Sequence, residues 1–173
     1  MVALAKLLEK GVGVKKDPEE AYQYYKEAAE MDNPEALFRL GQIYEKGNPF
    51  EEPEMVEGRP IPPLKKAIEY YERAAEEGFS EAMTHLGLMH EKGENLRGDL
   101  EIAEELYQGA AKRNHPAGLN HLGSFIFKIK KDHKTAVEFF QKAADLGCPQ
   151  GKNNLGICYE LGYGVVSDQN LAF

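Results

Sequence analysis

The chain has 173 residues, 42% of them apolar and 29% charged, with a formal net charge of −8 and a pI near 5.2. This suits one folded body with a real core, excludes a disordered chain, and argues against nucleic acid or an anionic membrane surface, both of which call for a Lys/Arg-rich footprint. No apolar run approaches the roughly 20 residues of a membrane span, and Met1 to Lys10 lack a signal peptide's cationic and long apolar stretches.

In chain order, Met1–Lys10 reads as the latter part of a helix whose beginning is missing. Asp17, with Pro18 behind it, starts a helix carrying Ala21, Tyr22, Tyr24, Tyr25, Ala28 and Ala29, and Asp32 ends it. A next helix carries Ala36, Leu40, Gly41 and Tyr44 and ends at Gly47. After the segment Asn48–Pro63 the two kinds of helix alternate again: Ala67 to Ala75, then Ala82-Leu86-Gly87-His90, then Ala103 to Ala111. Gly118-Leu122-Gly123-Ile126, Ala136 to Ala144 and Gly151-Leu155-Gly156-Tyr159 complete the series. Apolar positions fall at three- and four-residue intervals throughout, the period of a helix face and not of a strand.

The punctuation repeats with the helices. Asp17, Pro63, Asp99, Asp132 and Asp168 each stand four residues before the first Ala of a second helix, where Asp accepts from free first-turn amides. Asp32, Gly78, Asn114 and Gly147 follow the alanine pairs, and Gly47, Gly93 and Gly162 follow the first helices. These are residue types that readily take the left-handed conformation closing a helix. A glycine inside a helix costs about 1 kcal/mol relative to alanine, so its recurrence at Gly41, Gly87, Gly123 and Gly156 predicts a neighbouring backbone too close for a side chain, with the alanine pairs at that contact.

This pattern resembles the Sel-1-like repeat, a relative of the tetratricopeptide repeat. Gly11-Val12-Gly13-Val14-Lys15-Lys16-Asp17 and Gly162-Tyr163-Gly164-Val165-Val166-Ser167-Asp168 match the family's central stretch, and the likeness covers essentially the whole chain. The expected fold is all-α, an α/α superhelix or solenoid of stacked helix-turn-helix repeats. Its expected divisions are a partial repeat 1–33, a repeat 34–79 with inserted loop 48–63, repeats 80–115 and 116–148, and a partial repeat 149–173. The ragged ends suggest a fragment excised from a longer protein. Two departures stand out: the insertion, and the third full repeat, where Ile126 and Ile129 replace the usual Tyr and Gly.

The resemblance implies an adaptor or scaffold that binds a protein or peptide, and no enzyme. A regulatory repeat region of a larger kinase or ubiquitin-ligase assembly is the alternative. In related tetratricopeptide solenoids the concave face is lined by first-helix positions two before and two after the Leu of the Leu-Gly pair. Carried over, these are Phe38 and Gln42, Thr84 and Leu88, Asn120 and Ser124, and Asn153 and Ile157. Packing of Phe38, Leu88 and Ile157 against neighbouring repeats is the competing reading.

The insertion's prolines stiffen it, and Phe50, Met55, Val56 and Ile61 offer contacts to a partner; as a loop joining two helices of one repeat it is expected to be dispensable for folding. Cys148 and Cys158 are too few for a disulfide framework and too far apart along the helix to pair, so Cys158 is expected in the core. With no glycosylation sequon, a reducing, cytoplasmic setting is favoured. His85 and His121 align with Arg39 and Asn154 but lack the further ligands a metal needs, so they are expected at a solvated groove edge. No nucleotide loop, nucleophile elbow or catalytic dyad occurs, and neither a metal nor a cofactor is expected.

Overall fold

The computed structural model describes residues 1–93, 98–168 and 170. It divides into two compact units, Met1–Ala82 and Met83–Phe173. The first holds α1 (Val2–Lys10), α2 (Pro18–Glu30), α3 (Pro34–Glu45), a hairpin of β1 (Met55–Val56) and β2 (Arg59–Pro60), and α4 (Pro63–Glu76). The boundary falls within α5 (Ser80–Lys92). The second unit continues with α6 (Leu100–Lys112), α7 (Pro116–Phe125), a π-helical turn Ile126–Lys130, α8 (His133–Asp145) and α9 (Pro149–Leu161). The expected start of a further helix at Leu171 to Phe173 lies outside the described residues.

Consecutive helices pack on each other within each unit, and α7 also packs on α9, the equivalent helix of the following repeat. That nearest-neighbour stacking is the solenoid's organising rule. Tyr22, Tyr25, Leu37 and Leu40 centre one core; Tyr107, Phe125, Phe140 and Cys158 centre the other, with both cysteines free. Among the described residues no helix is long and apolar enough to cross a membrane.

Capping follows the sequence closely. Asp17 accepts from the Glu20 amide at 3.0 Å, Asp99 from Glu101 and Ile102 at 2.9 and 3.1 Å, and Asp132 from Thr135 at 3.1 Å. Pro63 is instead the first residue of α4, behind Pro62, and no side chain caps that helix. The helix-ending positions all take positive φ, including the non-glycines Asp32 (52°) and Asn114 (54°).

Three of the Leu-Gly glycines, Gly41, Gly87 and Gly123, meet chiefly a different neighbour from the one expected. A Cβ on Gly41 would meet the Tyr71 ring at 2.5 Å, one on Gly87 the Tyr107 ring at 2.6 Å, and one on Gly123 the Phe140 ring at 2.8 Å. At Gly41 and Gly87 an aromatic side chain, not a backbone, closes on the glycine; at Gly123 the Ala136 carbonyl oxygen joins the ring, at 3.2 Å. The alanine contact belongs to the small residue four positions before the Leu: Cβ atoms on Gly118 and Gly151 would meet the Cβ atoms of Ala110 and Ala143 at 2.5 and 2.7 Å.

Each ring that covers a glycine extends one helical turn further. Tyr71 donates to Glu45 and Tyr107 to Glu91, both at 2.7 Å, and Tyr25 donates to Glu9 at 2.9 Å across the equivalent Ala5. These glutamates stand four residues after the small residue, on the same helix face. Burial first, then the hydrogen bond, pushes the Tyr71 and Tyr107 phenols far above their usual range, so both stay neutral donors. In the third full repeat both partners change together: Phe127 replaces the glutamate, Phe140 replaces the tyrosine, and their rings lie 6.5 Å apart. Here α7 passes into the π-helical turn and Lys131 ends it at φ 58°. The extra residue per turn shifts Phe127 into a cluster with His133 (4.3 Å) and Tyr163 (5.4 Å).

The insertion divides into a packed and an exposed part. Asn48 donates to the Tyr22 hydroxyl at 3.1 Å, the Phe50 ring stacks on Tyr22 at 5.0 Å, and Glu51 takes Lys26 at 2.5 Å and the Tyr44 hydroxyl at 2.8 Å. Burial alone would raise the Glu51 carboxyl, but the hydrogen bonds from Lys26 and Tyr44 outweigh it and hold it below the usual range. Met55 and Val56 are exposed in a hairpin whose turn residues Glu57 and Gly58 both take positive φ, as a two-residue hairpin turn requires.

Three outcomes follow for folding. Gly87→Leu drives a side chain into the buried Tyr107 ring and is expected to cost several kcal/mol, at least about 1–3, read as a lowered midpoint in circular dichroism melting. Tyr107→Phe strips the donor from half-buried Glu91 and is expected to cost about 1–2 kcal/mol. The tyrosines' raised folded-state pKa values add stability that is complete below the unfolded value near 10 and is lost as pH rises above it, so this variant also flattens the alkaline fall in stability. Replacing Met55–Pro60 with a short Gly/Ser link leaves the midpoint within about 2–4 °C, whereas replacing Asn48–Pro60 lowers it by several degrees more through loss of Phe50 and Glu51. Equal midpoints for the two loop variants would refute the division of the insertion.

Candidate functional site

The eight positions carried over from the family fall into three groups. Thr84 and Asn120 are buried, 6% and 5% exposed. The Thr84 hydroxyl lies 3.4 Å from His115 Nδ1, which also accepts from the Gly118 amide at the start of α7. Asn120 Oδ1 accepts from Asn154 Nδ2 at 2.8 Å, a bond that joins α7 to α9 across the repeat boundary. Phe38 and Leu88 are half-buried against their units' cores, Phe38 with its ring 5.4 Å from Tyr71 and 5.3 Å from Phe79. Gln42, Ser124, Asn153 and Ile157 remain accessible, the last two exposed.

Three of those accessible residues line clefts. In the first unit Gln42 lies in a cleft of about 340 Å³ between α1 and α3, with Arg39 and Ile43 of the same helix face, Lys46 at the end of that helix, Glu9 opposite, and Pro49 and Phe50 of the insertion. In the second unit Ser124 and Ile157 line a smaller cleft of about 190 Å³ between α7 and α9, with Asn154 beside them, Phe127 and Lys128 of the π-helical turn at its rim, and Phe140 and Cys158 beneath. The segments where the chain departs from its own repeat thus each border a cleft on the first helices.

A larger groove of about 550 Å³ was not foreseen. It runs between α6 and α8, with Leu119, Leu122, Ile126 and Phe139 as apolar lining and Lys112, Lys130, Lys142, Glu104 and Asp132 among its polar residues. Lys130 is paired with Glu104 at 2.5 Å.

The aligned positions Arg39, His121 and Asn154 have diverged in role. His121 stacks on Tyr107 at 5.6 Å, and burial lowers its pKa, so it is a packed neutral ring and not a solvated edge residue. Asn154 bridges to Asn120. Arg39 donates from Nη1 to Gln42 at 3.0 Å, while its Nε is buried with no partner. The signal for Arg39 was present in the sequence as the single permanent cation at a position otherwise filled by His or Asn. Among the described residues no group of three or more His, Cys, Asp or Glu side chains has the geometry to hold a metal ion.

Comparisons with known proteins agree on the repeat. The Sel1 repeat model matches residues 1–33, 34–54, 55–79, 80–115, 118–148 and 149–173; its break after residue 54 falls inside the insertion. Among solved structures, c5321, a protective antigen of uropathogenic Escherichia coli strains displaying an SLR fold, is 31% identical over 99% of this chain with a TM-score of 0.81. A Sel1 repeat protein from Oxalobacter formigenes is 30% identical over 98% of it with a TM-score of 0.83. This chain spans 35% of the former's length and 66% of the latter's. Helicobacter pylori cysteine rich protein B is 27% identical over 82% of this chain and 96% of its own, with a TM-score of 0.55. A search of curated proteins finds no significant match. Sel1 repeat proteins are a non-catalytic family of helical solenoids that generally act as protein-interaction scaffolds. With repeat matches spanning nearly the whole chain and helices packed as that repeat requires, this chain belongs to the Sel1 repeat family.

Proposed function

We propose that this chain is an interaction scaffold that receives an extended peptide, or a helix of a partner protein, along the first helices of its repeats, the face expected to be concave. The observation that carries this reading is the pair of clefts on first helices, one in each unit, where amide and hydroxyl groups stand beside apolar ones. Amides such as Gln42 and Asn154 pair with a peptide backbone, while Ile43 and Ile157 give side chains an apolar contact. The net charge of −8 sets such a partner apart from nucleic acid.

The positions differ in what they can report. Asn120 is buried and bonded, so Asn120→Ala leaves the Asn154 amide short of an acceptor and is expected to cost about 1–3 kcal/mol of stability whatever it does to binding. Asn153 and Ile157 are exposed on α9 and give the cleaner probe. A partner is first captured with this chain as bait and identified by mass spectrometry. The double variant Asn153→Ala, Ile157→Ala is then expected to bind it about 1–3 kcal/mol more weakly by calorimetry, with an unchanged melting midpoint. Binding at full strength would move the contact to the groove between α6 and α8 or to the exposed hairpin.

A further inference from the structure

We propose that the cleft between α1 and α3 is a carboxylate subsite, with Arg39 as the recognising group; this rests on the peptide-binding reading above and gives it a chemistry. Arg39, Gln42 and Ile43 follow at helical intervals and present one face of α3 to the cleft, with Lys46 at the helix's C-terminal cap. A guanidinium offers five N–H donors and keeps its charge at any physiological pH. Here Nε is sealed from solvent and unpaired, and Nη1 reaches only the neutral Gln42 Oε1. No ion pair to Arg39 occurs among the described residues. Glu9, the carboxylate in the cleft, is already the acceptor for Tyr25.

A cation that has given up part of its hydration without gaining an anion is under-compensated, and elsewhere among the described residues the half-buried Lys and Arg side chains are matched. Lys6 pairs with Glu35, Lys26 with Glu51 and Lys66 with Glu54. The missing partner is an anion that enters from outside. Planar guanidinium suits a carboxylate bound through two parallel hydrogen bonds, Lys46 adds a second positive charge one or two turns along, and Phe50 offers an apolar contact to a neighbouring side chain. An acidic side chain and a free chain terminus supply the same group.

The probes are three fluorescent peptides with the shared sequence Ala-Pro-Phe-Ala: one ending in a free carboxylate, one amidated, and one amidated with its last residue changed to Glu. They are titrated onto the full chain at low salt by anisotropy. At least one acid-bearing peptide is expected to bind about tenfold or more tightly than the amidated Ala peptide, and which one does so separates terminus from side chain. Arg39→Gln is expected to abolish that difference and, because it removes an under-compensated charge, to melt no lower than the parent chain. Lys46→Gln, at an exposed position, narrows the difference by about two- to threefold without touching the core. Equal affinity for all three peptides, no binding of any, or undiminished discrimination by Arg39→Gln would each overturn the subsite. None of these results bears on a partner that loses affinity through Asn153 and Ile157, so the two readings fail separately.

Discussion

The aromatic ring that lies over the glycine of a Leu-Gly pair, as at Gly41, Gly87 and Gly123, is the contact on which the repeat depends. With Gly41 and Gly87 bare, Tyr71 and Tyr107 sit against the helix itself, fully buried, and their hydroxyls still reach a carboxylate one turn along. One side chain therefore fixes both how close two helices come and how far one has slid along the other. Dispersion alone would set the first and leave the second soft; a hydrogen bond to a glutamate carboxylate sets the second. The helix-ending residues then need only turn the chain, which Asp32, Asn114 and the glycines do through positive φ.

Much of this was legible in the sequence, because local chemistry and period point the same way. The caps at Asp17, Asp99 and Asp132 and the stops at Gly78 and Gly147 are decided within a few residues of chain, and the structure places them where the pattern does. The reason for the internal glycine was less accessible. Its cost was visible, but whether a backbone or a ring exacts it depends on which residue arrives from another helix. The glutamates were readable in principle: Glu9, Glu45 and Glu91 keep a constant offset from the small residue, and the single failure of that offset, Phe127, coincides with the single failure of the tyrosine, Phe140.

The candidate site was legible to a lesser degree for the same reason. Spacing from the Leu-Gly pair selects positions on a helix face, yet it does not say how deeply each one sinks. Asn120 and Ser124, one turn apart and chosen by the same rule, end buried and half-buried, although Asn154 reaches across to both, at 2.8 and 3.5 Å. Phe38 turns into the core because Tyr71 and Phe79 offer it rings. Periodicity assigns a direction, and the neighbouring repeat then decides whether that direction leads to solvent.

Stacked repeats tolerate local departures because each one contacts only its neighbours, so a change in one unit need not propagate. The insertion and the π-helical turn use that freedom in opposite ways. The first adds chain outside the repeat and anchors it by a polar knot of Tyr22, Tyr44, Lys26 and Glu51, bringing Phe50 to the edge of a cleft. The second adds no chain; it rewinds a helix so that Phe127 and Lys128 border one cleft while Ile126 and Lys130 border the groove on the other side. A π-helical turn gives up regular hydrogen-bond geometry, and a half-buried carboxylate gives up part of its hydration, so both departures carry a standing cost in stability. Where the unmodified repeat would fold more cheaply, such costs point to the surfaces they shape, the clefts lined by α3 and α9, as the places where this chain differs from a generic solenoid.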